Sequence, residues 1–385
     1  MSRHVPFRRL AAAAAASTLV LTAAACSGGG DPVASLTADA DSPYQADLAS
    51  VCPSTVDVQL DWWPQADYGY LFTLIGTNGV ADPSTFTYSG PLGNTGVNLA
   101  VHAGGAAVGF QSDTALLYKD DSILLAVTST DQNLENAAQF PTVAVFTSLQ
   151  KVPLVFYWGD PDWDFTSLED VRDAGVPVVT VESAPYLTVL LDQGLLDPGQ
   201  VDRSYQGTPA RFVQEDGKIV QQGYLTSEVY QYQHELPEWD RPVRYVEVGD
   251  RYPAVYHQLS VRSDRLDANK ACLAALVPVL QQAGIDYAHD PSTGNAALLK
   301  AAEGFTGSGW ELSPQLLDWA AATLVDKGYI ADGEDGAYGS LPLERFAAFV
   351  GTYRHAVAGT GVSVPDDLTV ADFATNEFID PELHL

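Results

Sequence analysis

Basic residues are scarce in this chain. Of 385 residues, only 19 are lysine or arginine against 49 aspartate or glutamate, which gives a formal net charge of −30. A protein that binds nucleic acid needs a basic face to neutralise phosphates, so this composition excludes nucleic acid as a partner. The excess of acid predicts a heavily solvated surface.

The common signatures of catalysis are also missing. The sequence contains no GxSxG, no GxxxxGK[ST], no GxGxxG after a strand and no HExxH. Asp160, Asp162 and Asp164 alternate as in a calcium loop, but Phe165 stands where the sharp-turn glycine belongs. These absences argue against the common hydrolases, nucleoside triphosphatases and zinc proteases. We therefore predict no enzyme activity, no metal and no cofactor, with an extracellular enzyme of unrecognised type as the alternative.

The first 25 residues predict a signal peptide. Three arginines precede an apolar run of about 12 residues, which ends in small residues before Cys26. The run is too short to span a bilayer. This segment, with Cys26 directly after its small residues, resembles a bacterial lipoprotein signal, and the resemblance implies that Cys26 is lipidated. Arg8 and Arg9 leave twin-arginine export open. The stretch 26–49, rich in Gly, Ala, Asp and Ser, predicts a tether.

Cysteine is rare, with three residues in the whole chain. If Cys26 is lipidated, Cys52 and Cys272 remain as an even pair in an oxidising compartment. They predict a disulfide, and two buried free thiols are the alternative.

The most informative stretch runs from Val56 to Tyr70. Apolar and polar residues alternate up to Trp62, as in a strand, and Pro64 ends the pattern. Asp67 stands where the N-cap of a following helix would stand, at the carboxyl end of the strand where open α/β sheets bind ligands. Trp62 and Trp63 point to opposite faces of a strand, so one core cannot bury both, although two core aromatics are the simpler interpretation.

This stretch is similar to the opening of solute-binding proteins of the nitrate, sulfonate and thiamine-pyrimidine-precursor type, which serve ABC importers. The resemblance implies an α/β, two-lobed periplasmic-binding-protein-like fold (type II), each lobe a mixed sheet flanked by helices. The expected boundaries are 1–25 signal peptide, 26–49 lipidated tether, 50–154 and 257–385 lobe 1, and 155–256 lobe 2. Hinge crossings are expected near 152–158 and 255–258, where His257 fits a structural group better than a ligand contact.

Later segments resemble the places where this family lines its pocket. They lie after a Gly/Ala/Val-rich strand region, at the crossing to lobe 2, before a helix near residue 185, and around Tyr224. Ser112 or Asp113 could simply cap a helix, and Glu228 could simply lie on a solvated helix. The predicted ligand-binding residues are Trp62, Trp63, Asp67, Tyr68, Ser112, Asp113, Trp158, Ser183, Tyr186, Tyr224, Thr226 and Glu228.

The chemistry of these candidates favours a particular ligand. Oxyanion sites usually combine helix N-termini with Arg or Lys, and the candidate segments contain neither. Aromatic rings can stack on a flat ring, while carboxylates accept hydrogen bonds from its N–H groups. We predict a small heteroaromatic solute similar to the thiamine pyrimidine precursor. The Asn-His pair typical of the pyrimidine binders is absent, so riboflavin or a nitrate-, sulfonate- or taurine-like solute stays an alternative.

The resemblance also implies partners and a location. A monomer held by its lipid to the outer face of the cell membrane would deliver its ligand to an ABC permease and the associated ATPase.

Overall fold

The computed structural model describes residues 42–182 and 184–385. Predictions on Cys26, the signal peptide, the tether up to residue 41 and Ser183 lie outside these residues. The strands are β1 (Thr55–Gln59), β2 (Val80–Asp82), β3 (Thr87–Pro91), β4 (Asn98–His102), β5 (Ile123–Thr128), β6 (Thr142–Thr147), β7 (Leu154–Trp158), β8 (Val178–Val179), β9 (Val201–Asp202), β10 (Val220–Tyr224), β11 (Arg244–Glu247) and β12 (Gln258–Arg262).

These strands form two separate mixed sheets. The first has seven strands in the order β2-β3-β4-β1-β5-β12-β6, and the second has five in the order β11-β7-β10-β8-β9. In the first sheet β4, β1 and β5 run parallel to one another, so their carboxyl ends share one edge. In the second sheet β10, β8 and β9 are parallel, whereas β7 is antiparallel to β10. The chain crosses between the sheets twice, from β6 to β7 and from β11 to β12.

Helices cover both sheets. They are α1 (Gly69–Ile75), α2 (Asp113–Lys119), α3 (Thr130–Glu135), α4 (Leu168–Ala174), α5 (Pro185–Asp192), α6 (Ala210–Gln214), α7 (Glu228–His234), α8 (Leu266–His289), α9 (Ser292–Gly304), α10 (Pro314–Asp326) and α11 (Leu343–Ala356). By length and composition α8 could cross a membrane, but 61% of its most apolar window is buried inside the protein. We interpret it as the core helix of the first sheet's layer, where it packs on α1 and α9.

The first sheet forms because its central strands are apolar and β-rich. Every residue of β5 (ILLAVT) and β6 (TVAVFT) is buried, as expected for strands covered on both faces. In β1 the buried residues Val56 and Val58 alternate with half-buried neighbours, which matches the predicted period of two. The strand ends at Gln59, before the predicted end at Trp62, because the buried Gln59 amide donates to the Leu60 and Ala103 carbonyls where the chain turns.

A disulfide joins Cys52 to Cys272, with an S–S distance of 2.02 Å. Cys52 precedes β1 and Cys272 lies on α8, so the bond ties the entry of the first sheet to its main covering helix. In the chain-entropy model, closing a loop of this length stabilises the fold by roughly 5 kcal/mol before native strain is subtracted.

The C-terminal helix α11 packs away from the rest of the C-terminal region. Its buried residues Phe346, Phe349 and Tyr353 join one apolar cluster with residues of the second sheet and of α5. Tyr353 also donates to Glu135 at the end of α3. A helix assigned to lobe 1 by its position in the sequence therefore contributes to the core beneath both sheets.

Candidate functional site

The carboxyl ends of β4, β1 and β5 bring three loops to one edge of the first sheet. Each loop leads into a helix, and an acidic residue lies on the loop or in the first turn of that helix: Asp61 after β1, Asp113 at the start of α2 and Asp131 at the start of α3. An edge of this kind is the usual ligand position in open α/β sheets.

Asp61 and Asp67 lie on the loop after β1. The Tyr68 hydroxyl donates to Asp61 Oδ1 at 2.5 Å, and the Gln65 amide donates to Asp67 Oδ2 at 2.7 Å. Burial raises the pKa of the Asp67 carboxyl, while the nearby His257 ring and the Thr226 hydroxyl act against that rise. Tyr68 is itself buried, and its ring packs edge-on to His257 at 5.0 Å.

The predicted role of Asp67 as a helix N-cap is wrong. Residues 66–68 form a 3-10 turn that runs directly into α1, whose N-cap is Tyr68, and no side chain caps either segment. Gly69, the first residue of α1, lets the Tyr287 ring pack directly on the backbone, since a Cβ atom there would lie 2.1 Å from that ring. The Asp67 carboxylate caps no helix and instead bonds to Gln65 and, across the protein, to Thr226.

Asp113 is the first residue of α2 and is only 4% exposed. Burial raises the pKa of its carboxyl well above the usual range, and the nearby Asp61 adds to the rise. Its Oδ2 accepts a long 3.4 Å hydrogen bond from the Gln132 amide, while Asp113 Oδ1 and Gln132 Oε1 have no partner among the described residues. Ser112 is the N-cap of α2, but its side chain makes no capping bond.

The two adjacent tryptophans differ sharply in environment. Trp63 is buried against Phe86 at 5.2 Å and stacks on Trp310 at 6.4 Å, so it is a core aromatic. Trp62 is 38% exposed, and its neighbour at 6.1 Å is Phe110, which is 71% exposed. Trp62 rests on Gly105, whose positive φ brings the loop after β4 beneath the ring. Of the pair, only Trp62 offers a free ring.

The second sheet contributes the turn after β10. Thr226 is buried, and its hydroxyl lies 3.3 and 3.4 Å from the two carboxylate oxygens of Asp67, so the two sheets' edges meet here. Glu228 Oε2 accepts the Tyr224 backbone N–H at 2.7 Å, which fixes the turn. Burial raises the pKa of Glu228, and the Tyr224 N–H opposes that rise.

Tyr186 and Tyr224 lie close together on the second sheet's side. Tyr186, on α5, is buried, and its hydroxyl donates to Gln222 Oε1 at 2.7 Å. Burial raises the pKa of Tyr186 well above its usual range, with a further contribution from Tyr224. Tyr224 is half-buried, and the carboxylates that add to the burial effect on its pKa come from both sheets, Asp61 first and Glu228 second.

Trp158 does not belong to this edge. It ends β7, which runs antiparallel to β10, so Trp158 pairs with Arg244 at the opposite end of the second sheet. The ring is fully buried against Phe165, and its indole N–H donates to the Trp163 carbonyl at 3.1 Å. We therefore do not retain Trp158 in the candidate site.

Four further groups at the edge escaped the sequence prediction. Asp131 and Gln132 follow β5, where Ser129 is the N-cap of α3, and a buried strand followed by Ser-Thr-Asp-Gln was an available signal. The Asp131 carboxylate accepts the hydroxyls of Tyr252 and Tyr256. His257, at the second crossing, has a φ of 61°, is 3% exposed and has no partner for Nδ1. Asp61 lies within the stretch from Val56 to Tyr70 but is not among the predicted ligand-binding residues.

Three surface cavities lie away from this edge, and none of them gathers polar groups from the ends of both sheets. Cavities of about 350, 410 and 340 Å³ lie between Ala137 and Phe373, between Pro53 and Asn269, and between Val179 and Glu215. Apart from Val179, they are lined by residues outside the strand-end loops described above. Within the described ranges, no group of three or more His, Cys, Asp or Glu side chains could hold a metal ion.

No protein-family model and no curated protein matches the chain. Solved structures do. The ligand-binding component of an ABC-type import system from Staphylococcus aureus, solved with zinc bound, is 13% identical over 85% of this chain and 98% of that chain, with a TM-score of 0.52. The aliphatic sulphonate binding protein SsuA from Escherichia coli is 13% identical over 83% and 91%, with a TM-score of 0.53.

A third structure gives the same result. The alkanesulfonate-binding protein SsuA from Xanthomonas axonopodis pv. citri, bound to MOPS, is 12% identical over 84% of this chain and 98% of that chain, with a TM-score of 0.52. At such identities the similarity is one of fold. Two mixed sheets flanked by helices and joined by two crossings confirm the predicted fold class: the chain has the periplasmic-binding-protein fold.

Proposed function

We propose that this chain is an extracytoplasmic solute-binding protein that captures a small heteroaromatic solute, similar to the thiamine pyrimidine precursor, and delivers it to an ABC importer. The observation that carries the proposal is the meeting of two strand-end edges: Asp67 from the first sheet and Thr226 from the second lie within hydrogen-bond distance. Structures of the same fold include import components and sulfonate-binding proteins by name, which supports the transport role.

The two lobes in this proposal are 50–154 with 257–385, and 155–256. A ligand that contacts both edges binds the closed arrangement better than an open one, and this difference in affinity is what drives closure. The permease then recognises the closed form. Polar groups on both edges and no nucleophile paired with a base suit binding better than catalysis.

The site chemistry separates this proposal from a sulfonate binder. Among the described residues, no Lys or Arg makes an ion pair or hydrogen bond with Asp61, Asp67 or Asp113. Without a basic partner the site offers a sulfonate no counter-charge, and any of these carboxyls that is ionised would repel it. A ring with N–H donors finds acceptors in Asp113 and Gln132 and a stacking surface in Trp62.

The anchor is a separate part of the proposal. Cys26, directly after the signal, would carry the lipid that holds the protein on the outer face of the membrane, since one acyl chain alone binds marginally and two are needed. Replacing Cys26 with Ala should release or misprocess the protein. Unchanged membrane retention of Cys26→Ala would contradict the anchor and leave the ligand proposal standing.

Binding is tested with the hydroxymethyl-aminopyrimidine precursor of thiamine as the probe. Mass spectrometry of small molecules that co-purify with the exported protein identifies the class directly, and titration calorimetry measures the probe's affinity. Trp62→Ala should weaken binding by about fivefold, since a lost aromatic stack costs about 1 kcal/mol beyond apolar burial. The control is Asp164→Asn, whose side chain is 95% exposed at the far end of the second sheet. Wild-type affinity in Trp62→Ala, or turnover of the probe, would overturn the proposal.

A further inference from the structure

The carboxylates at the first sheet's edge differ in how well they are paired. Asp131 is buried and already accepts two tyrosine hydroxyls. Asp61 accepts one, from Tyr68, and Asp113 has only the long bond from Gln132. Asp113 is therefore the least well paired carboxyl of this edge, with Asp61 beside it as a second acceptor.

Positive groups near this pair are few in the part of the chain that the structure describes. His257 acts on Asp67, and Arg203, on the second sheet's side, acts on the Tyr186 hydroxyl. Arg203 is exposed, and its guanidinium donates to the Glu182 carbonyl. Neither reaches Asp61 or Asp113 with a hydrogen bond or an ion pair, so the protein itself does not neutralise the pair.

Two buried acceptors point in the same direction. Asp113 Oδ1 and Gln132 Oε1 are each without a donor, although the two side chains are joined to each other through Gln132 Nε2 and Asp113 Oδ2. A buried acceptor left without a donor costs free energy, which a bound group with several N–H donors would recover. An anion cannot supply those donors.

An exposed aromatic pair lies on the same two loops. Trp62 follows Asp61 directly, and Phe110 stands three residues before Asp113, with 6.1 Å between the ring centroids. Exposed aromatic rings beside carboxylates form the usual environment of ammonium and other organic cations, whose charge is attracted to the ring faces.

We propose that the site takes an organic cation, with its positive nitrogen group between Asp61 and Asp113 and its apolar part on Trp62 and Phe110. The inference rests on the proposed binding function and narrows its ligand class from any nitrogen heteroaromatic to one that carries a positive charge. The second sheet then closes over the cation with Tyr224 and Thr226 and adds no opposing charge.

The test compares each cation with a neutral partner. Thiamine contains the same aminopyrimidine as the neutral probe but adds a positively charged thiazolium ring, whereas phenethylammonium and neutral phenylethanol differ only in the ammonium and hydroxyl groups. In titration calorimetry on the exported protein, each cation should bind at least roughly tenfold more tightly than its neutral partner, the effect of one charged hydrogen bond. Neutral partners that bind as tightly as the cations, or no binding of either cation, would overturn the inference.

Substitutions locate the effect. Asp61→Asn keeps an oxygen for the Tyr68 hydroxyl, and Asp113→Asn keeps one for Gln132, so both remove charge with little change in packing. Each should lower cation affinity at least roughly tenfold and lower phenylethanol affinity by a smaller factor, whereas Asp164→Asn should change neither. Equal affinity for cations in all three variants would mean that neither Asp61 nor Asp113 binds the positive group, which would overturn the inference.

The pH dependence of cation affinity is a second test of the inference. The other titratable groups of the two edges are Asp67, Asp131, Glu228, His257 and Tyr224, and burial favours the protonated carboxyls of Asp67 and Asp113. Cation affinity should therefore fall as pH falls from 8 to 5, and that of phenylethanol should not.

The outcomes separate the two proposals. Binding of the neutral pyrimidine with no preference for thiamine keeps the proposed function and overturns the cation. Binding of phenethylammonium without any aminopyrimidine keeps the cation and overturns the heteroaromatic ligand.

Discussion

The two edges that meet in the candidate site are built differently. At the first sheet's edge, buried carboxyl and amide oxygens of Asp113 and Gln132 lack donors. At the second sheet's edge, the corresponding groups are bonded within their own sheet's layer: Tyr186 to Gln222, and Glu228 to the Tyr224 N–H. The difference indicates that the first edge has acceptors available to a ligand. The polar groups of the second edge are already bonded, and this edge would close over the ligand.

The largest effect should come from the aromatic base of the first edge. Trp63→Ala removes a buried ring between Phe86 and Trp310 and should lower the free energy of unfolding by about 3–5 kcal/mol. Trp62→Ala, the matched control one residue away, should change it by less than about 1 kcal/mol because Trp62 is exposed. Urea denaturation measures both, and equal losses would mean that Trp62 is also a core residue.

Two truncations, one at each edge, test the difference between the edges directly. Glu228→Ala leaves the Tyr224 N–H without its acceptor and should cost about 1–3 kcal/mol. Asp113→Ala removes a desolvated carboxyl with an unpartnered oxygen and should cost nothing, or stabilise the ligand-free protein by up to about 1 kcal/mol. Urea denaturation at pH 8 without ligand gives both values. Losses of the same sign and size would remove the distinction between the edges.

How far the sequence predicted this site depends on whether a feature is local. The alternation in β1 and the buried runs of β5 and β6 follow from side-chain pattern, and the structure has strands at all three places. Trp158 was misplaced because the direction of β7 relative to β10 is set by pairing between distant segments, which no local pattern reports. The packing of α11 on α5 is equally non-local.

Side-chain bonding was beyond the sequence for another reason. Trp62 and Trp63 are the same residue type in adjacent positions, and only the fold decides which one meets Trp310, 247 residues after Trp63 along the chain. Likewise, the sequence could not show that Glu228 accepts a hydrogen bond from the Tyr224 N–H, whereas Asp113 Oδ1 has no donor among the described residues.

The pH dependence of the free energy of unfolding should reflect the buried Asp113 carboxyl of the first edge. Burial, with Asp61 second, raises the pKa of Asp113 in the folded protein above its unfolded value of about 3.9. A group of this kind contributes stability in full below its unfolded pKa and loses that contribution as pH rises through the folded pKa. The free energy of unfolding of the wild type should therefore fall between pH 5 and pH 8 on account of this carboxyl.

Asp113→Asn removes this titration. Its free energy of unfolding should therefore fall less than that of the wild type between pH 5 and pH 8, when both are measured by urea denaturation at constant ionic strength. Asp164→Asn, the exposed control, should follow the wild-type slope. A wild-type slope in Asp113→Asn would show that burial of this carboxyl has no thermodynamic cost.

The smallest effect should come from the contact of Thr226 with Asp67 between the edges. Thr226→Val replaces the hydroxyl with a methyl group of similar size, so packing is kept while the contacts to Asp67 at 3.3 and 3.4 Å are lost. Asp67 is not left without a partner, because Gln65 still donates at 2.7 Å. Contacts this long are weak, so the loss should be about 0.5–1 kcal/mol.

That loss should fall on closure rather than on folding, since the bond exists only while the two edges touch. Small-angle X-ray scattering should show a larger radius of gyration for Thr226→Val, and urea denaturation should show little change. Thr352→Val, on α11, removes a hydroxyl that bonds only within its own helix and should alter neither. A radius unchanged from wild type would mean that other contacts between the lobes, the ring pair of Tyr230 and Trp319 and the bond from Ser313 to Glu235, hold them together without Thr226. In that case the Asp67 to Thr226 contact would be a consequence of closure and not a cause.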